Sequence, residues 1–295
     1  MQTEVKIDNS RPHVAPSRHR ATILVLVFTD ISRDPRVYRQ IQFLKAKFRV
    51  VAAGYGDPEI DGVEYFALTT DQAPRFRLLP KLGQRLFNRC WYLLRRALYA
   101  LRIHRLYHAT EYRLIKATQD LSKRKFIGIV ANDIECLPLA FSLSGKTGAK
   151  VVCDAHEWGP GEFDSDPDWQ RKHAAHNEYI CRQYLSKTAG MVTVCSSIAD
   201  LYKKIYGRHC SVVTNAPAFQ MLEPQPVGAK VHLVYHGGVN TDRNSDNLLR
   251  LMDLLDDRFT LTLMVSGPVE YLNSFRALAE LNERISFRPT VPMPE

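Results

Sequence analysis

The sequence has no apolar run long enough to cross a bilayer. Its first 20 residues are polar and carry Arg11, Arg18 and Arg20, and the run that follows, Ala21–Phe28, is too short for a span and lacks a small-residue cleavage site. The expectation is a cytoplasmic chain with neither signal peptide nor transmembrane helix. None of the six cysteines (Cys90, Cys136, Cys153, Cys181, Cys195 and Cys210) forms a CxxC pair. A zinc site is therefore not expected, and reduced thiols packed as small hydrophobes are. There is no P-loop, complete GxGxxG or nucleophile elbow, which argues against kinase, dehydrogenase and hydrolase chemistry.

What is present is an alternation of buried-type strands and helices. The 295 residues, 45% of them hydrophobic, leave room for two α/β lobes. Ala21–Phe28 has the continuous apolar character of a strand buried on both faces of a parallel sheet. After it, Asp34 or Ser32 caps a helix that carries Pro35 in its first turn and Val37, Ile41 and Leu44 at helical spacing. Further strands are predicted at 48–53, 63–68, 126–131, 150–153, 191–195 and 211–214, with helices at 137–144 and 197–205. Residues 1–20 read as a disordered tail, 21–215 as an N-terminal Rossmann-like lobe, and 216–230, with Pro217, Pro224 and Pro226, as a linker. A second lobe starts at 231 and reaches only residue 295. The predicted fold class is α/β, two Rossmann-like doubly wound lobes with the second incomplete.

Charge is concentrated in one place. Between Arg75 and Lys125 there are 14 Lys/Arg against Glu111 and Asp120, so this segment exceeds the whole net charge of +9 and the rest is slightly acidic. Leu82, Leu86, Trp91, Leu93 and Leu98 are interleaved with these charges. Two readings follow: an interfacial amphipathic helix on an anionic membrane surface, or a helix hairpin with its apolar face in the core and its charges solvated. No recognition motif points to nucleic acid.

Several segments in order carry a family resemblance. Thr29-Asp-Ile-Ser-Arg-Asp-Pro-Arg-Val-Tyr-Arg39 follows the first strand, Ala131-Asn-Asp133 a middle one, and Val152-Cys-Asp-Ala-His-Glu157 the next. Ser196-Ser197 opens a helix, Val213-Thr-Asn-Ala-Pro217 lies at the lobe junction, and Tyr235-His-Gly-Gly238 with Arg243 opens the second lobe. Together they resemble family 4 retaining glycosyltransferases of the GT-B fold. The resemblance implies transfer of a sugar from a nucleotide-diphosphate sugar to a saccharide or lipid-linked acceptor with retention, and no cofactor or metal.

Within that resemblance His156 is the candidate catalytic residue, facing the transferred sugar. Gly237, Gly238 and Arg243 are candidates for the donor phosphates: glycines admit close backbone approach, a helix N-terminus directs N–H groups at anions, and Arg supplies a permanent charge. Asp34, Arg36, Asn132, Asp133, Asp154 and Glu157 are candidates for the acceptor side of the cleft or for shaping its loops, and Arg39 shares the first loop region. Asp34 as a helix cap and Asn132-Asp133 as turn formers are the structural alternatives. His173 and His176, three apart, are expected to pack or face solvent rather than bind metal.

Departures from the family pattern are also visible. Leu248 and Leu249 stand where a lysine often follows the arginine, and the glutamates that hold donor sugar and ribose have no counterpart; Glu295 is no substitute. The expectation is a C-terminally truncated transferase that binds donor weakly or not at all. A nucleotide-sugar epimerase of the same architecture and a non-catalytic membrane-surface protein derived from a transferase are the alternatives.

Overall fold

The computed structural model describes residues 20–69, 80–217, 219–224, 226–240 and 243–290. The expected tail (to residue 19), the start of the basic segment at 75–79, and Glu295 lie outside them. The chain forms two compact units, one of residues 1–157 and 179–213, the other of 158–178 and 214–295. The break at Val213/Thr214 falls two residues before the boundary expected at 215, while 158–178 groups with the second unit.

The first unit is built on a seven-stranded, wholly parallel sheet. Its strands are β1 (Thr22–Asp30), β2 (Arg49–Tyr55), β3 (Glu64–Ala67), β4 (Gly128–Asn132), β5 (Lys150–Ala155), β6 (Gly190–Thr193) and β7 (Ser211–Val212), in spatial order β3-β2-β1-β4-β5-β6-β7. Leu24, Val25 and Leu26 are fully buried, as the run predicted: successive side chains point to opposite faces, and both faces are covered. On one face α1 (Pro35–Lys45) sets Val37 and Ile41 against Val25, Val27, Val50 and Ala52. Asp34 is its N-cap, accepting from the Val37 amide at 3.1 Å and the Thr29 hydroxyl at 3.0 Å. α5 (Leu137–Thr147) joins β4 to β5 and ends at Gly148 in the left-handed region; α8 (Ser196–Tyr206) joins β6 to β7. The chain runs outward from β1 through β2 to β3 and then returns to place β4 on the other side of β1. This reversal makes the crevice beyond the carboxyl ends of β1 and β4 the topological switch point, where open α/β sheets bind ligands.

The return passes through the basic segment, which folds as α2 (Lys81–Ala100), α3 (His104–Ala109) and α4 (Tyr112–Leu121). Arg113 fastens it to the sheet, its guanidinium 3.9 Å above the Phe28 ring and donating to the Tyr55 hydroxyl at 3.0 Å. None of the helices among the described residues is long and apolar enough to cross a membrane.

The second unit includes α6 (Pro167–Trp169) and a π-helical stretch, Gln170–Ala174, that runs into α7 (Ala175–Tyr184), whose C-terminal part belongs to the first unit. Its three-stranded parallel sheet has β9 (Phe259–Ser266) between β8 (Val231–Gly238) and β10 (Ile285–Phe287). Leu261, Leu263 and Val265 alternate along β9 and pack with Met252 of α9 (Asn247–Leu254) and Phe275 of α10 (Val269–Ala279). On β8, His232, Val234 and His236 alternate outward from Leu233 and Tyr235 and are exposed.

Candidate functional site

Three connections converge beyond the carboxyl ends of β1, β4 and β5. The first brings Asp34 and, on the first two turns of α1, Arg36 and Gln40; the second Asn132 and Asp133; the third Asp154, His156 and Glu157. Their centre is a buried ion pair. Arg36 Nη2 and Nε donate to the two Asp154 oxygens at 2.6 and 3.1 Å, and Arg36 Nη1 donates to the Val213 carbonyl at 2.8 Å. All three guanidinium nitrogens are thus engaged inside the protein, and Arg36 acts as a clamp between α1, β5 and the chain after β7. Gln40 bridges onward, donating to Asp154 Oδ2 at 2.9 Å and accepting from Asn132 Nδ2 at 3.0 Å.

These bonds settle the imidazole of His156. Asn132 Nδ2 donates to Gln40 and to the Leu26 carbonyl, so Asn132 Oδ1, 3.2 Å from His156 Nε2, accepts from an Nε2–H. His156 Nδ1 then faces Asp133 Oδ2 at 3.4 Å. Burial lowers the His156 pKa and Arg36 adds to this, while Asp154, Asp34 and Glu157 oppose. Burial thus favours the neutral ring, and the Asn132 contact places the proton of that neutral ring on Nε2.

Asp133 is the anomalous member. Its backbone, at φ 64° and ψ 158°, lies in a region that only glycine enters freely. Two bonds hold it there: the Asp133 amide donates to the Asp154 carbonyl at 2.8 Å, and the His156 amide donates to Asp133 Oδ1 at 2.8 Å. Burial, then the charges of Asp154, Glu135 and Asp34, push its pKa up to about 7, against the His156 amide bond. A carboxyl that ionises near neutrality, beside an imidazole, can both accept and deliver a proton. Strain of this kind costs about 1–3 kcal/mol and concentrates at functional sites. Glu157 is exposed, and the Tyr202 hydroxyl donates to its carbonyl at 3.1 Å, tying the β5 loop to α8.

Asp34, Asp133 and Asp154 outnumber the single Arg36. Such a cluster would repel a diphosphate and suits the hydroxyls of a neutral sugar. In the second unit, Gly237 and Gly238 are the last residues of β8, paired with Val265 and Ser266. Gly237 has φ 140°, which a side chain would strain. The connection to α9 starts at Val239, where the Asn240 amide donates to Ser245 Oγ at 3.2 Å and the Arg243 amide to Asn240 Oδ1 at 2.9 Å. These bonds tie Asn240 to Ser245 and to the Arg243 backbone, and the Arg243 side chain is exposed. Among the described residues no group of three or more His, Cys, Asp and Glu side chains is arranged to hold a metal ion.

No family model matches the chain, and no curated protein matches it in sequence. Solved structures do match in fold. HepE of Anabaena, in complex with UDP and glucose, is similar with a TM-score of 0.60 at 11% identity, over 92% of this chain and 70% of that one. Sucrose-phosphate synthase of Thermosynechococcus elongatus gives 0.61 at 12% identity over 92% and 71%. The lipopolysaccharide outer core galactosyltransferase WaaB, in its apo form, gives 0.53 at 12% over 92% and 68%. The chain has the GT-B glycosyltransferase fold.

Within the GT-B frame, the first unit brings together His156, Asp34, Arg36, Asn132, Asp133 and Asp154, with Glu157 at the rim, whereas Gly237, Gly238 and Arg243 belong to the second unit. Sequence reasoning missed Gln40, the residue that links Asp154 to Asn132. Its position four residues after Arg36, on the same face of a helix, was the available signal.

Proposed function

We propose that this protein is a family 4 glycosyltransferase that moves a sugar from a nucleotide-diphosphate sugar to a saccharide or lipid-linked acceptor with retention. The observation that carries this reading is the cluster of His156, Asp133, Asn132 and the Arg36–Asp154 pair at the switch point of a GT-B first unit. HepE, of the same fold, was solved with UDP and glucose, which supports a nucleotide sugar as donor here. In this reading His156 donates its Nε2–H or accepts at Nδ1 on sugar hydroxyls, and Asp133, Asp154 and Asp34 shape the acceptor side. Gly237, Gly238 and Arg243 meet the donor diphosphate, whose growing negative charge in the transition state is offset by a guanidinium and backbone N–H groups rather than by a metal or other cofactor. The acceptor is presented at the inner membrane face, and the basic region 75–125 provides the contact with that anionic surface.

Product analysis tests this. Incubation with nucleotide sugars and a membrane lipid extract is expected to give acceptor-dependent transfer with the donor's anomeric configuration, reduced about 100-fold or more in His156→Ala, the size of a typical acid–base contribution. Three carboxylates around the cluster also suit proton abstraction, so the epimerase reading has its own signature: interconversion of the donor sugar without acceptor. That product, or transfer indifferent to His156, would overturn the proposal.

A further inference from the structure

α2 is amphipathic in an unusual sense: its outward side is also apolar. Arg95 and Leu98 are buried and Phe87 and Trp91 half-buried, yet Leu82, Leu86 and Leu93 stay 68%, 58% and 59% exposed. At 3.6 residues per turn these three leucines fall within about 40° of one another and span about 16 Å along the helix. Arg85, Arg89 and Arg96, all exposed, form a second row about 60° round the same helix. Among the described residues no ion pair or hydrogen bond takes up these three arginines.

No acidic residue occurs between Lys81 and Thr110, and Arg102 and Arg105 extend the positive surface. The first acid, Glu111, is buried and committed to Arg113 and Arg95. The face therefore has uncompensated positive charge beside an apolar row, and α2 is held with this side outward by Arg95, which is buried, pairs with Glu111 and lies 4.6 Å over the Tyr107 ring. A planar layer with anionic phosphates above an apolar interior complements both rows at once. An acidic protein groove would satisfy the arginines and leave the leucines against polar surface.

We infer that the outward face of α2 is the membrane-docking face, with Leu82, Leu86 and Leu93 entering the acyl boundary of an anionic leaflet and Arg85, Arg89 and Arg96 on its headgroup phosphates. This rests on the membrane contact proposed above and is independent of the sugar chemistry.

The test is flotation of the full chain with phosphatidylglycerol-containing vesicles and with pure phosphatidylcholine vesicles, alongside sedimentation analysis in solution. Circular dichroism confirms that the variants, which change exposed positions only, remain folded. Wild type is expected to float with the anionic vesicles alone and to be released at about 1 M salt, where the Debye length is about 3 Å. Each basic residue near an anionic surface contributes about fivefold in partition, so Arg85→Gln/Arg89→Gln/Arg96→Gln should weaken binding on the order of 100-fold. Leu82→Ser/Leu86→Ser/Leu93→Ser should weaken it at least tenfold at low salt. Salt-sensitive flotation unchanged in both triple variants would overturn this face while leaving a membrane contact standing. No flotation of wild type would overturn both. Self-association abolished by the leucine variant, without flotation, would assign the face to a second copy instead. None of these results bears on sugar transfer.

Discussion

Arg36→Met is the sharpest perturbation of the first unit. The side chains of Arg36 and Asp154 are 9% and 6% exposed, and their pair is bidentate at 2.6 and 3.1 Å. Methionine keeps most of the volume and removes three donors. Asp154 is left buried with Gln40 as its remaining side-chain donor, and the Val213 carbonyl loses its Arg36 partner. Stranding one member of a buried pair costs about 3–5 kcal/mol, and in a unit of this size each kcal/mol lowers Tm by about 2–4 °C. A fall of about 10 °C is expected. Arg36→Met/Asp154→Leu removes both charges, and the double mutant should be more stable than the sum of the single effects predicts by at least about 2 kcal/mol. Urea unfolding, read by circular dichroism and by tryptophan emission with coincident curves, measures this. An Arg36→Met cost below about 1 kcal/mol, or strict additivity, would refute the clamp.

Nitrogen-15 NMR of the imidazoles should find neutral His156 with its proton on Nε2; a neutral ring protonated on Nδ1 would contradict the hydrogen-bond assignment. Asp133 holds its proton between pH 3.8 and about 7 in the folded protein and loses it in the unfolded chain, so the stability it contributes is present below that window and disappears as pH rises through it. Asp133→Asn, which cannot ionise, should therefore gain stability on wild type as pH is raised from about 4 to about 8, by an amount trimmed by the 37% of the side chain that solvent still reaches. Parallel curves across that range would remove the basis for the raised pKa. Gly237→Ala, at φ 140°, should destabilise the second unit by about 1–3 kcal/mol, while Gly228→Ala, in an exposed segment, should be neutral; thermal melts of the two compare them.

Much of this frame was legible in the chain. The apolar runs at 21–28 and 150–153 announced buried strands, observed as Thr22–Asp30 and Lys150–Ala155, and Asp34-Pro35 announced a helix start, because period and capping are local properties. Strand ends were less so: β8 runs on through Gly238, since pairing with β9 overrides the weak strand preference of glycine. Roles depending on through-space partners were not legible. Arg36 looked available to an acceptor and instead clamps Asp154, 118 residues away. The basic segment read as helical, but neither its division into α2, α3 and α4 nor the side that faces inward was legible, because leucines line both sides of α2 and only the tertiary contacts of Arg95 and Leu98 decide.

The backbone of Asp133 has a consequence for laboratory evolution. Glycine would sit at φ 64° and ψ 158° without strain, so a library screened for heat resistance alone should drift toward glycine at this position. The same library screened for sugar transfer should hold the carboxylate. Divergence between the two selections at residue 133 would separate what the fold prefers from what the chemistry demands.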